Sequence, residues 1–214
     1  MKKLLNNYGN VSTIMIVLSL CLAVCCFIAG LPRVANAEET IDLPRTGQTT
    51  CYSSNGSVIS CAGTGQDGDT LAGVEWPSPR FTSDNSTMTD NLTGLMWAKD
   101  ASTPTVSSCT GGAKIWSNAI NYVTCLNGIN YLGYNDWRLP NRNQLESLVN
   151  AESSSPSSWL TSQGFSGLQS WYWSSTSYAV STDNAWYVSM DYGYVGYASK
   201  GGNSGCAWPV RLGQ

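Results

Sequence analysis

The stretch from Gly133 to Asn150, GYNDWRLPNRNQLESLVN, constrains the fold most, because it runs an extended segment directly into an amphipathic pattern. Trp137 and Leu139 are apolar residues two apart, as on one face of a strand. Pro140 ends that segment, because proline donates no ladder hydrogen bond. The stretch therefore predicts a junction between an extended segment and a helix.

The second half of this stretch carries the signals of a helix start. Asn141 is the predicted N-cap, and Gln144 three residues later completes a capping-box pattern. Leu145, Leu148 and Val149 follow at helical spacing and predict a buried stripe. We expect the junction to dock this helix on the core at a fixed angle.

The rest of the chain supplies one more helix and several short strands. Apolar residues at helical spacing predict a helix over roughly Ile115 to Leu126. After a Ser-rich loop, the aromatic runs SWYWSSTSY, AWYVSMDYG, YVGYASK and AWPVRL are separated by Asp, Asn and Gly turns, which is typical of an antiparallel meander. Two helices packed on short antiparallel strands predict an α+β domain.

The N-terminus reads as an export signal. Lys2 and Lys3 precede an apolar run from Val11 to Leu31, and Ala-Asn-Ala at 35–37 supplies a small-x-small cleavage pattern. We expect a signal peptide over residues 1–37 and a secreted or cell-surface protein, in the periplasm or on the outer surface. A retained membrane anchor is the alternative, because the apolar run is nearly long enough to span a bilayer.

The exported part divides into a Gly, Thr and Ser-rich extension, residues 38–79, and a domain, residues 80–214. It carries 8 basic and 14 acidic residues, a net charge of −6. That balance argues against a general polyanion-binding surface, so we expect no nucleic-acid partner. After cleavage of the signal we expect no membrane association.

Two disulfides are predicted from the spacing of the cysteines in an oxidising compartment. Asn55-Gly56 is a turn midway between Cys51 and Cys61, so a hairpin brings those two cysteines together.

The second predicted bridge joins Cys109, on the loop before the first helix, to Cys125 near the end of that helix. Cys206 is then left as a free or intermolecular thiol. A bridge from Cys125 to Cys206 is the alternative.

The sequence contains no histidine, which excludes Ser-His-Asp and Cys-His catalysis and the commonest zinc ligand sets. Turn chemistry explains the Asp67-Gly68-Asp69 stretch without a metal. We therefore expect no cofactor, no metal and no enzymatic activity.

Aromatic residues are the candidates for ligand contact, since rings stack on the apolar faces of sugars while amides and carboxylates bind the hydroxyls. The strand aromatics that could line a sugar-binding face are Trp171, Tyr172, Trp173, Trp186 and Tyr187. In alternating strands, however, about half of the rings point into the core, and Trp116 is assigned to it. The residues predicted to be structural are Trp97, Trp137, Arg138, Pro140, Asn141 and Trp173. The predicted ligand-binding residues lie near polar loops and are Tyr178, Asp183, Asn184, Asp191, Tyr192, Tyr194 and Tyr197.

Several ordered segments together resemble the Lcl C-terminal domain family, named after a collagen-like adhesin of Legionella. They are RFTSDNSTMTDNLTGLMWAKDA, WSNAINYV, GYNDWRLPNRNQLESLVN, SSWLTSQGFSGLQSWYWSSTSYA, AWYVSM and WPVRLGQ. The resemblance covers about residues 81–214, and it implies a C-type lectin-like fold and an adhesin-type role on an extracellular glycan or surface protein.

The resemblance also implies a homotrimer and a sulfated glycosaminoglycan ligand, but a net charge of −6 departs from what such a ligand needs. A structural or self-assembling subunit of a surface appendage is the alternative function. The junction WRLPN is also similar to a helix start in formylglycine-generating enzymes. Their chemistry uses a pair of cysteines near the C-terminus, whereas only Cys206 is present here.

Overall fold

The protein is described from a computed structural model that defines residues 43–213. The predicted signal peptide, residues 1–37, and the start of the extension lie outside the described residues. Within residues 43–213, no helix combines the length and the apolar character needed to cross a membrane.

The described residues form an α+β structure with four α-helices, one 3₁₀ turn (Tyr131–Gly133) and nine strands. The helices are α1 (Asp67–Thr70), α2 (Trp116–Gly128), α3 (Arg142–Glu146) and α4 (Pro156–Ser162). The strands are β1 (Cys51–Tyr52), β2 (Val58–Ile59), β3 (Phe81–Asp84), β4 (Thr87–Asp90), β5 (Leu95–Ala98), β6 (Trp171–Ser177), β7 (Asn184–Ser189), β8 (Val195–Ser199) and β9 (Val210–Leu212).

The strands form three antiparallel sheets, in the orders β1-β2, β3-β4-β5-β9 and β6-β7-β8. The prediction of one meander is correct for β6, β7 and β8 but wrong for AWPVRL. That segment forms β9, which pairs with β5 through the partners Trp97 and Val210. The physical reason is burial, since Trp208 and Val210 are fully buried in the same cluster as Trp97.

Two apolar clusters make up the core. The first is centred on Trp97 and Trp208, whose ring centroids lie 5.2 Å apart, and includes Tyr172. The second packs α2 against Trp137 and Trp173. The β6-β7-β8 sheet contributes buried residues to both clusters.

The predicted junction between strand and helix is confirmed. Trp137 and Leu139 are buried, and Arg138 exchanges two backbone hydrogen bonds with Val210, at 2.9 and 3.0 Å. Asn141 is the N-cap of α3, with both hydrogen bonds of the capping box to Gln144 present. The helix itself is short, and tight turns continue the chain beyond it.

Two short helices were not expected from the sequence, so the prediction of two helices was wrong for the described residues. Helix α4 lies in what we expected to be a Ser-rich loop. Ser155 is its N-cap, accepting from the backbone NH of Ser158, and Pro156 occupies the first turn. Leu160 is fully buried and anchors this helix on the first core cluster.

Both predicted disulfides are present, Cys51 to Cys61 and Cys109 to Cys125. Cys206 is a free, buried thiol, so the alternative bridge from Cys125 to Cys206 is excluded.

The extension is held by hydrogen bonds as well as by its disulfide. Glu152 accepts from the backbone NH groups of Thr49, at 2.7 Å, and Thr50, at 3.0 Å. The NH of Ala151 donates to the carbonyl of Thr46 at 3.0 Å. These bonds hold the pKa of Glu152 below its usual range, the backbone NH of Thr49 being the largest cause.

Candidate ligand-binding groove

The β6-β7-β8 sheet presents two faces with different surroundings. We call the face carrying Tyr172 and Val188 the inner face, since both residues are fully buried in the first core cluster. We call the opposite face, which carries Trp171, Trp173 and Tyr187, the groove face. Trp173 is covered by the second core cluster, whereas Trp171 and Tyr187 are only partly buried.

A groove of about 530 Å³ lies at the uncovered end of this sheet. It is lined by Ser170, Trp171, Asn184, Tyr187, Ser189, Asp191, Tyr192, Tyr194, Tyr197, Ala198, Ser199 and Asn203.

Four of these residues form a continuous aromatic row, which we call the ladder: Trp171, Tyr187, Tyr194 and Tyr192. The centroid of Trp171 lies 4.8 Å from that of Tyr187, and Tyr187 lies 6.1 Å from Tyr194. Tyr192 and Tyr194 are nearly parallel, with centroids 6.4 Å apart. Exposure rises along the row, to 52% at Tyr194 and 78% at Tyr192.

Two glycines allow the inner rungs of the ladder to lie flat on the backbone. A Cβ added at Gly205 would lie 2.3 Å from the ring of Trp171, and one at Gly196 would lie 2.6 Å from the ring of Tyr187. Gly196 is the cross-strand partner of Tyr187. Any larger residue at either position would displace a ring, so these glycines set the depth of the groove.

The ladder is held in place by the turn between β7 and β8. The hydroxyls of Tyr187 and Tyr194 are 3.4 Å apart, and this contact, with smaller help from burial, raises the pKa of Tyr187 to about 12. Gly193, at φ +78°, packs the turn so closely on Val149 and Pro156 that an added Cβ would lie 2.9 Å from Val149 Cγ1.

The polar groups of the groove are uncharged apart from one carboxylate. Asp191 is partly buried and accepts no hydrogen bond from the residues that the structure describes. Asn203 accepts from the backbone NH of Ser199 at 3.1 Å through its Oδ1. No basic residue lines this groove in the described part of the chain.

Five of the seven predicted ligand residues line the groove: Asn184, Asp191, Tyr192, Tyr194 and Tyr197. The ring of Tyr197, however, stacks on Tyr178 at 4.3 Å, and both rings meet Trp186 edge-on. The Asp183 carboxylate accepts from Ser181 and from the Asn184 amide within the turn between β6 and β7. The structure therefore does not bring Tyr178 and Asp183 into the groove, and Asn184 is largely committed to the turn.

Trp171 and Tyr187 line the groove but were absent from the predicted ligand residues. The alternation in SWYWS places Trp171 and Trp173 on one face, opposite Tyr172, and this signal was available. What the sequence lacks is any sign that the covering cluster ends between the two tryptophans.

The residues predicted to be structural lie in or around the core. Trp97 and Trp173 are fully buried, and the Trp137 indole NH donates to the carbonyl of Tyr131 at 2.8 Å. Arg138 donates to Gln144 Oε1 at 2.6 Å, and burial lowers its pKa. The carbonyl of Pro140 accepts from Ser175 NH at 2.7 Å.

Each of the eight basic residues in the described chain has a protein partner. Four form ion pairs: Arg45 with Glu75, Arg80 with Asp90, Arg142 with Glu146, and Arg211 with Asp136. The others donate to neutral groups: Lys99 to Ser83, Lys114 to Gly112, Arg138 to Gln144, and Lys200 to Ser177 and Thr182. Among residues 43–213 no group of three or more Cys, Asp or Glu side chains is arranged to hold a metal ion.

The fold and the groove define an antiparallel α+β module that is stapled by two disulfides and displays aromatic rings on one sheet face. Residues 86–211 match the Lcl C-terminal domain, and the chain belongs to the Lcl C-terminal domain family. This membership relates it to cell-surface adhesins, and both the family and the disulfides fit an extracellular or surface protein. Comparison with curated proteins gives no match.

Proposed function

We propose that this is an exported, non-enzymatic adhesin-type domain with a C-type lectin-like fold, which binds a carbohydrate or a surface protein in the groove. The observation that carries the proposal is the ladder. It combines half-exposed rings with unpaired polar groups in one concave site, as in sites that bind ligands with both apolar and hydroxylated surfaces.

The ladder suits a carbohydrate better than an apolar ligand. Its exposed rings offer flat surfaces to the CH faces of a pyranose, while Asp191 and the Asn203 amide can bind hydroxyls. Rings held by packing also lose little conformational freedom on binding, which reduces the cost of association.

The buried Cys206 argues against catalysis by its thiol. Burial raises the pKa of its thiol, more than the hydrogen bond with Thr103 and the charge of Lys114 lower it. A protonated, covered thiol is a poor nucleophile. We expect no modification of native Cys206 by a soluble thiol reagent at pH 8, followed by complete modification on unfolding; rapid native labelling or catalytic turnover would contradict this proposal.

The groove is tested by immobilised glycan arrays with the full chain, made with its own N-terminal segment and purified in oxidised form. Tyr194→Ala removes a half-exposed rung and should lower the signal on any bound glycan about tenfold, which corresponds to a loss of about 1.4 kcal/mol of binding free energy. Tyr52→Ala is the matched control, because Tyr52 is an exposed tyrosine of the extension. Equal loss in both variants, or none in either, would place binding elsewhere.

A self-assembling surface subunit is the alternative, and one observation favours it. Strand β8 has β7 on one side and is the last strand of its sheet within the described residues. Unpaired strand edges are sites of pairing with another chain. Sedimentation of the full chain over a range of concentrations distinguishes the two functions: a trimer that still binds glycans supports the adhesin, and open-ended polymers without glycan binding support the subunit.

A further inference from the structure

We infer that the groove selects uncharged glycans and rejects sulfated ones, and that Asp191 is the residue that sets this specificity. The inference rests on the proposed carbohydrate-binding function and names its substrate class.

The first support is the position of Asp191. It lines the groove beside the exposed rungs Tyr192 and Tyr194. Its carboxylate oxygens receive no hydrogen bond from any residue in the described range, so they are available to sugar hydroxyls. A free carboxylate accepts two hydroxyls well, because hydrogen bonds to charged groups are stronger than neutral ones.

The second support is the lack of a compensating cation. A sulfate in the groove would need a Lys or Arg side chain, and no lining residue of the described chain is basic. Lys200 follows the lining residue Ser199, but its ammonium donates to Ser177 Oγ at 2.7 Å and to Thr182 O at 2.8 Å. It also lies 4.4 Å from the ring centroid of Trp116, a residue outside the groove.

The remaining cations are committed elsewhere. The Arg80 and Arg211 side chains are 3% and 5% exposed and paired with Asp90 and Asp136. Releasing either to bind a sulfate would leave a carboxylate without its partner, which is unfavourable, the more so for the buried Asp90. A sulfated ligand would therefore meet the negative charge of Asp191 without a neighbouring positive charge, and like charges brought together at an interface weaken binding.

The test compares matched probes on the full oxidised chain. Neutral gluco-, galacto-, manno- and xylo-oligosaccharides are each measured beside a chemically sulfated form of the same oligosaccharide, at low and moderate salt. We expect the neutral form that binds best to bind about tenfold or more tightly than its sulfated form at low salt. Binding of the neutral form should depend little on salt, whereas the difference between the two forms should shrink at the higher salt concentration.

Variants of Asp191 then assign the specificity. Asp191→Asn keeps the shape of the side chain and removes its charge, and should narrow the preference for the neutral probe. Asp191→Lys should reverse it and make binding of the sulfated probe sensitive to salt. Asp84→Lys makes the same change of charge at an exposed site on β3, outside the groove, and should leave the preference unchanged.

The outcomes separate this inference from the proposed function. If the sulfated probe binds more tightly in the native chain and Tyr194→Ala abolishes that binding, the groove is a glycan site and the inference is wrong. If the preference for neutral probes survives Asp191→Lys, Asp191 is not the selecting residue and the inference is also wrong. If no probe binds, or Tyr194→Ala has no effect on any, the carbohydrate function itself fails and the inference fails with it.

Discussion

The inner face and the groove face of the β6-β7-β8 sheet are built from the same kinds of residues but differ in what covers them. On the inner face, Tyr172 is fully buried, and its hydroxyl is paired with Ala101 O at 2.9 Å. On the groove face, Trp173 is fully buried, whereas Trp171, two residues earlier, is partly exposed. One strand therefore contributes both core and candidate site.

Residue type alone therefore does not distinguish an aromatic residue of the core from one that binds a ligand. The difference lies in the residues that pack on the ring. A ring packed on all sides contributes apolar burial, whereas a ring packed on one side retains a surface that can contact a ligand. Substitutions on the two faces should therefore affect different measurements.

The largest expected effect is on the inner face. Tyr172→Ala should lower the free energy of unfolding by about 3–5 kcal/mol, the usual cost of deleting a large buried aromatic side chain. Urea denaturation monitored by tryptophan fluorescence measures it. A loss below about 1 kcal/mol would show that the inner face is not packed as described.

A smaller effect is expected when the depth of the groove is changed. Gly196→Ala places a methyl group where the Tyr187 ring lies, so it should cost about 1–3 kcal/mol of stability, as overpacking does, and also weaken glycan binding. Gly201→Ala is the matched control, because an added Cβ there meets nothing within 4 Å. Equal melting temperatures for both variants would contradict the close contact of Tyr187 with Gly196.

A still smaller effect concerns ionisation on the groove face. Tyr194→Phe removes the hydroxyl that is the main cause of the raised pKa of Tyr187, so that pKa should fall from about 12 towards 10. Because the pKa of Tyr187 is higher in the folded protein than in the unfolded chain, the protonated hydroxyl stabilises the fold below about pH 10. This contribution is lost as the pH rises from about 10 to about 12. The shift is measured by the difference absorbance of phenolate, with Tyr52→Phe as the control. Identical titration curves for the two variants would show that the hydroxyls of Tyr187 and Tyr194 do not interact.

The smallest effect is expected from the hydrogen bonds of Glu152, which lie close to the turn between β7 and β8. Glu152 joins the extension to residues just before Pro156, on which Gly193 packs. Because the pKa of Glu152 is lower in the folded protein, its carboxylate stabilises the attachment of the extension at any pH above the ordinary pKa of 4.5. This stabilisation is lost as the pH falls through the lowered pKa. Limited proteolysis should cut the extension faster below that pH.

Glu152→Gln should give this faster cleavage at neutral pH and a slight loss of glycan binding, with core stability nearly unchanged. Glu75→Gln is the control, since that side chain is 79% exposed and its nearest cation is 3.9 Å away. If the rate of cleavage depends on pH equally in the native chain and in Glu152→Gln, a group other than Glu152 controls the cleavage of the extension.

Local signals in the sequence predicted much of the fold. The capping box at Asn141, helix α2 and both disulfides depend on residues no more than 16 positions apart, and each was predicted. The partner of β9 was missed because pairing with β5 is decided by packing across the whole domain. Helix α4 was missed because its Ser-rich sequence has low helix propensity, and burial of Leu160 outweighs that preference.

The candidate site was predicted in part for the same reason. Tyr192 and Tyr194 lie in a polar turn, which the sequence marks directly. Trp171 and Tyr187 lie in strands, where alternation shows which residues share a face but not where the covering residues end. Only the packing of Gly196 and Gly205 under the two rings reveals the groove.

The pairing of β9 with β5 has a consequence for how the chain folds. Trp208 completes the first core cluster and donates its indole NH to Ala98 O at 2.7 Å. The two residues are 110 positions apart in the chain. Contacts of such high contact order form late, because a long loop must close before they contribute any stability. The core thus stays incomplete until β9 is available, and the apolar residues around Trp97 remain accessible to solvent until then.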